Sequence, residues 1–99
     1  MAYEMMVGLW VADGATYAKY RAEMAPLLEA GGGRFRYDFE VSRTLKGESG
    51  HDVNRVFVLA FADRQARDRF FSDPRYLEIR ARLFTPSVER TEVLAEYER

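Results

Sequence analysis

Residues 3–12 are apolar on both alternating sets, with Met5, Val7, Leu9 and Val11 on one and Met6, Gly8, Trp10 and Ala12 on the other. A strand patterned this way is covered on both faces. Asp13-Gly14 ends it, and Asp13 is placed to cap the helix that follows. From Ala15 to Ala30, Tyr17, Tyr20, Met24, Leu27 and Leu28 recur at helical spacing. Pro26 falls inside this pattern, where its missing N–H predicts a kink or an early end. Gly31-Gly32-Gly33 then offers the positive φ that a helix C-terminus favours.

Residues 34–43 alternate, Phe35, Tyr37, Phe39 and Val41 against Arg34, Arg36, Asp38 and Glu40, which predicts a strand with one apolar face. A polar loop covers 46–52. Residues 53–62 are apolar on both sets again, Phe57, Leu59 and Phe61 against Val56, Val58 and Ala60, and predict a second interior strand. Asp63 can cap a helix carrying Ala66, Phe70 and Phe71. Ser72-Asp73-Pro74 breaks and restarts it, with Asp73 as cap and Pro74 at the first helical position. Tyr76, Ile79, Arg80 and Leu83 continue one face, Pro86 closes the segment, and 87–97 alternate weakly as a last, more polar strand.

This βαββαβ order is the split-βαβ, ferredoxin-like pattern of the α+β class. Right-handed crossovers put both helical segments on one face of a four-stranded antiparallel sheet, with the doubly apolar strands central. The other face then carries apolar side chains that no helix covers. An exposed patch of that size marks a partner or a ligand, and the simplest partner is a second copy packed sheet to sheet.

The 99 residues, 47% of them hydrophobic, fit one globular domain spanning 1–99 and exclude a disordered chain. With Lys plus Arg at 15 and Asp plus Glu at 16, the net charge of −1 argues against a nucleic-acid partner or an anionic-membrane partner. Cysteine is absent, which excludes a disulfide scaffold, a thiolate metal site and a cysteine nucleophile. The lone histidine, His51, gives no basis for a histidine metal centre or a serine triad, and no cofactor is expected. The apolar N-terminal run carries Glu4, has no basic segment before it and stops at Asp13. It is too short for a membrane span of roughly 20 residues, so a cytoplasmic protein is expected.

Tyr17-x-x-Tyr20-Arg21, Pro26, Gly31-Gly32-Gly33-Arg34, and Phe71-x-Asp73-Pro74-x-Tyr76 with Arg80 form an ordered constellation. It resembles the domain-of-unknown-function family 1330, within the dimeric α+β barrel superfamily, over about residues 5–96. Leu45-Lys46-Gly47-Glu48 is similar to that family's Leu-Glu-Gly turn, while Ser49-Gly50-His51-Asp52 lengthens the loop. The resemblance implies a ferredoxin-like subunit and a face-to-face homodimer, and brings no assigned activity. Several superfamily members act on aromatic or polyketide-like substrates without a cofactor. The resemblance therefore leaves two classes open: a dimeric module that binds a small, acidic or aromatic molecule, and a cofactor-independent monooxygenase, isomerase or lyase.

Candidate ligand-binding residues are Trp10, Tyr20, Arg21, Arg34 and Tyr76. Guanidinium and phenol groups grip a carboxylate or enolate. Each residue has a second reading: Tyr20 and Tyr76 as core packing, Arg21 paired with an acidic neighbour, Arg34 on a solvated face beside Arg36, Trp10 as dimer packing. His51, with Asp52 as orienter, fits a general base or a surface loop. Met24, Leu27, Phe70 and Leu83 are expected to fill the layer between helices and sheet. That places the ligand at the edge of the open sheet face, beside the dimer seam.

Overall fold

The computed structural model describes residues 1–99. Its elements are β1 (Tyr3–Val11), α1 (Gly14–Ala30), β2 (Arg34–Glu40), β3 (Arg55–Phe61), α2 (Arg64–Ser72), α3 (Pro74–Ile79), a π-helical turn (Arg80–Phe84) and β4 (Val88–Glu98). All strand pairings are antiparallel, in the order β2-β3-β1-β4. The chain thus has the α+β, ferredoxin-like architecture that its pattern predicts, with β1 and β3 central.

The helix starts follow from their caps. Asp13 accepts from the Thr16 N–H at 3.1 Å, Asp63 from the Ala66 N–H at 2.8 Å, and Asp73 from the Arg75 N–H at 2.9 Å with Pro74 opening the helix. Pro26 neither ends α1 nor buries a bare carbonyl: it lies on the exposed side, and the helix runs on to Ala30. Gly32 closes the helix at φ +83°, the conformation the glycine run predicts.

Register separates the two sheet faces. Met5 pairs with Leu59 and Val7 with Phe57, turned toward the helices, while Met6 pairs with Val58 and Gly8 with Val56 on the open face. Asn54 extends the β1–β3 pairing past Arg55. Its side-chain oxygen accepts from the Val11 N–H at 2.7 Å and its amide nitrogen donates to the Val11 carbonyl at 2.9 Å, as a peptide unit would. This explains why β3 begins at Arg55 rather than at 53.

β2 departs from its sequence alternation. Phe35 pairs with Leu59 and Tyr37 with Val58, leaving Arg36 as an extra residue between them. Such a bulge shifts a two-residue period by one. Phe35 therefore faces the helices, whereas Tyr37 and Phe39 face the other way, correcting the single apolar face expected. Asp38 moves to the helix side as a result. β4 shifts similarly near Leu94, which approaches Gly8 on the open face.

Candidate functional site

The helix layer does not fill the space above β1 and β3. A cavity of about 470 Å³ opens there, within the size range of small-molecule sites. Met5, Val7, Leu9, Phe57 and Leu59 form its floor. Tyr17, Tyr20 and Met24 of α1 form one wall, and Phe71, Tyr76 and Phe84 the other. Arg67, Asp68, Ser72, Arg80 and Thr91 are its polar rim. This corrects the expectation of a filled layer, since Met24 lines the space and Leu27, Phe70 and Leu83 do not reach across it.

The physical reason lies in the aromatic residues. Phe70 packs against Tyr76 with ring centroids 4.5 Å apart and against Phe71 at 5.1 Å, and both phenylalanines lean on Phe61. Tilted and edge-on rings are the favoured aromatic geometry. This cluster props α2 and α3 off the sheet, leaving room beside it.

Tyr20 and Tyr76 meet inside the cavity, their hydroxyl oxygens 2.9 Å apart, and both residues are buried. Burial pushes the Tyr20 hydroxyl pKa up strongly, reinforced by the neighbouring Tyr76. Burial also raises that of Tyr76, although Tyr20 and the nearby Arg80 charge pull the other way. Both phenols stay protonated at neutral pH and act as hydrogen-bond donors. Tyr17 is likewise raised by burial, and its oxygen accepts from Arg21 at 3.2 Å.

The expected site residues do not converge. Tyr20 and Tyr76 line the cavity. Arg21 is committed elsewhere: its guanidinium lies 3.7 Å from the Phe35 ring centroid and donates to Asp38 at 2.8 Å. Arg55 donates twice to the same carboxylate, both contacts at 2.9 Å. Partial burial disfavours the charge on Asp38, but the hydrogen bonds from Arg55 and Arg21 prevail and hold the carboxyl below its ordinary value. Arg21 is thus a brace between α1 and the sheet. Arg34 pairs with Ala60 and is exposed, and Trp10, 37% exposed, pairs with Arg90. Both stand on the open face, across the sheet from the cavity. His51 is exposed in its loop, where its N–H meets the Ser49 hydroxyl at 3.3 Å.

Two features escaped the sequence. The segment after α3 widens into a π-turn, the Thr85 N–H reaching back five residues to the Arg80 carbonyl at 2.9 Å. Such turns recur at functional sites, and this one carries Arg80 and Phe84 to the cavity. The second is Glu4, fully buried on the open face under Tyr97, Arg36 and Arg99, with oxygen contacts of 2.8, 3.2 and 3.4 Å. Burial raises its pKa, but the Tyr97 hydrogen bond and the two arginines prevail and leave it lowered. No three His, Asp or Glu side chains converge to hold a metal ion. No helix is long and apolar enough to cross a membrane.

Fold and cavity together define a ferredoxin-like α+β subunit with an apolar pocket between its helices and sheet. Residues 2–96 match the family described as Domain of unknown function (DUF1330), and the chain belongs to that family. No relative is found among the curated proteins. Among solved structures, it is similar to a protein of unknown function from Rhodopseudomonas palustris, with TM-score 0.84 at 18% identity over 99% of this chain and 82% of that one. It is also similar to a Dabb family protein with a ferredoxin-like fold from Mesorhizobium loti, with TM-score 0.69 at 16% identity over 99% and 96% of the two chains. A dimeric ferredoxin-like protein of unknown function from Jannaschia matches at TM-score 0.58 and 14% identity over the full length of both chains. At these identities the likeness establishes the fold.

Proposed function

We propose that this protein is a homodimeric small-molecule-binding subunit whose ligand occupies the cavity between the helices and the sheet. The observation that carries this reading is the cavity itself: about 470 Å³ of space with an apolar floor, a buried tyrosine pair and a polar rim. Small-molecule sites have this composition, apolar walls for burial and a few placed polar groups for orientation. The polar groups at the heart of the cavity, Tyr20 and Tyr76, are protonated phenols, and the rim carboxylate Asp68 is paired with Arg67, which favours holding an oxygen-bearing molecule over proton abstraction.

The homodimer reading rests on the open sheet face. Trp10, Tyr37, Phe39, Leu94 and Tyr97 expose between 37% and 54% of their surface there. Large apolar patches on one face are the ordinary substrate of subunit contacts. The Jannaschia neighbour is dimeric, which supports a second copy as the occupant. In that arrangement the cavity lies on the far side of the sheet from the seam, rather than beside it.

The test uses methyl 2-naphthoate, a neutral bicyclic probe. It should bind the wild-type protein and raise its melting temperature. Val93, half-exposed at the cavity lining, offers a plug. Val93→Trp should abolish binding while leaving the unliganded fold intact by circular dichroism. Undiminished binding in that variant, or no binding of either the ester or its parent acid by the wild type, would overturn the reading.

A further inference from the structure

The tyrosine pair has a hydrogen to spare. Two hydroxyls carry two O–H donors, and the single bond between Tyr20 and Tyr76 uses one of them. No other protein group accepts from either oxygen. Tyr20 is 5% exposed and Tyr76 3%, and both line the cavity, so the second hydrogen is open to an acceptor from the cavity side alone. A ligand oxygen seated in the cavity can accept that hydrogen in a site shielded from bulk solvent.

The rim adds a charge. Of its two arginines, Arg67 is neutralised by Asp68 at 2.7 Å and by Glu96. Arg80, an exposed residue, has no carboxylate partner, and its guanidinium lies 5.7 Å from the Phe84 ring centroid and near Tyr76. Arg80 follows Tyr76 by four residues, one helical turn, so the free guanidinium and the Tyr76 hydroxyl belong to one side of the same segment. The π-turn that starts at Arg80 fixes that segment against the cavity.

We infer that the cavity selects monocarboxylic acids with an aromatic or aliphatic body, the carboxylate bridging the Arg80 guanidinium and the Tyr20–Tyr76 hydroxyls. This deepens, and rests on, the reading of the cavity as a ligand site. One planar cation and one hydroxyl hydrogen match the two oxygens and single charge of a carboxylate. A dianionic phosphate would leave one charge unanswered, and a neutral molecule would leave Arg80 unused. Arg21 and Arg34, which the sequence offered for this task, are bound to Asp38 and placed on the other sheet face respectively.

The experiment compares 2-naphthoate with its methyl ester by calorimetry on wild type, Arg80→Gln, Tyr20→Phe, Tyr76→Phe and the Tyr20→Phe/Tyr76→Phe double variant. Wild type should bind the acid at least about tenfold tighter than the ester, the scale of one charge-assisted hydrogen bond. Arg80→Gln should erase that preference and leave ester affinity unchanged. Each single phenylalanine variant keeps one O–H to donate and should stay close to wild type for the acid, whereas the double variant should lose most of the preference. Equal binding of acid and ester by wild type would overturn the carboxylate assignment while leaving the cavity reading standing. A full preference in Arg80→Gln would overturn the role of Arg80. Binding of neither probe would overturn the cavity reading and this inference together.

Discussion

Replacing Gly31, Gly32 and Gly33 one at a time by alanine should stabilise at the first and destabilise at the other two for different reasons, although the residues are adjacent and chemically identical. At Gly33 an added Cβ would sit 2.5 Å from Leu28 Cδ1, 3.1 Å from Leu28 Cγ and 3.2 Å from the Leu28 carbonyl. Carbon atoms pack at about 3.5–4.0 Å, so Leu28 must move. It is 1% exposed, so its side chain can shift only against other core residues. Overpacking of this kind costs about 1–3 kcal/mol. At Gly32 nothing lies within 4 Å, but φ is +83°, and a left-handed alanine costs about 1–2 kcal/mol. Gly31 has φ −88° and ψ 6°, and its nearest contacts, 3.6 and 3.7 Å, are ordinary. Alanine there should stabilise by about 0.4–1 kcal/mol through the unfolded chain. For a domain of this length 1 kcal/mol shifts the melting temperature by roughly 4–8 °C. Gly33→Ala should therefore melt at least about 4 °C below wild type and Gly31→Ala slightly above it. Urea titrations at one protein concentration should move the midpoint without changing the slope. If Gly33→Ala matched Gly31→Ala, the close approach of the turn to Leu28 would be wrong.

Sedimentation equilibrium at micromolar concentration should give about twice the 11.5 kDa chain mass, and Phe39→Lys should shift it to one; a wild-type monomer would refute the open face as a seam. Acid should destabilise the fold through Glu4 and Asp38, whose folded values lie below 4.5 and 3.8 respectively. A carboxylate depressed on folding contributes stability that is present above its unfolded value and lost as pH falls through the folded one. The urea midpoint should therefore drop as pH falls below about 4.5, and Asp38→Asn should lower it at neutral pH and make the acid drop shallower, leaving the share that belongs to Glu4. An unchanged acid profile in that variant would refute the Asp38 account.

Periodicity reads burial and leaves open where burial is incomplete. The doubly apolar runs of β1 and β3 identified the centre of the sheet, and the Asp caps and Pro74 placed the helix starts, because those signals depend on near neighbours only. The bulge at Arg36 was invisible for the opposite reason. It is stabilised by partners far along the chain, Glu4 for Arg36 and Arg21 with Arg55 for Asp38. The cavity escaped similarly. Met24, Phe70 and Leu83 are spaced as core residues, and spacing says nothing of how far tilted rings hold two layers apart. Tyr20 and Tyr76 could be singled out as polar groups on apolar faces, but 56 residues separate them, and only the fold makes them one pair. Arg21 shows the reverse error. A guanidinium beside two tyrosines suggests a ligand grip, yet a carboxylate reached it first.

The two faces of β1 divide the labour. Met5, Val7 and Leu9 form the cavity floor, while Glu4, Met6 and Trp10 belong to the open face. Every second residue of this strand thus serves a different side, and the strand is rigidly paired on both edges by β3 and β4. The polar rim of the cavity comes from α2, the π-turn and β4, all on the helix side, so a second copy seated on the open face leaves the entrance uncovered. In the proposed dimer the second copy would bury Tyr37, Phe39 and Trp10 and hold the sheet that forms the floor, without supplying a side chain to the proposed ligand. The arginines follow the same division. Arg21 and Arg55 fix the layers through Asp38, Arg36 and Arg99 secure Glu4 on the open face, and Arg80 alone among these faces the cavity without a carboxylate. Since each of those carboxylates already has its cation, an acid entering the cavity competes with no internal anion for Arg80, and its binding requires no existing ion pair to open.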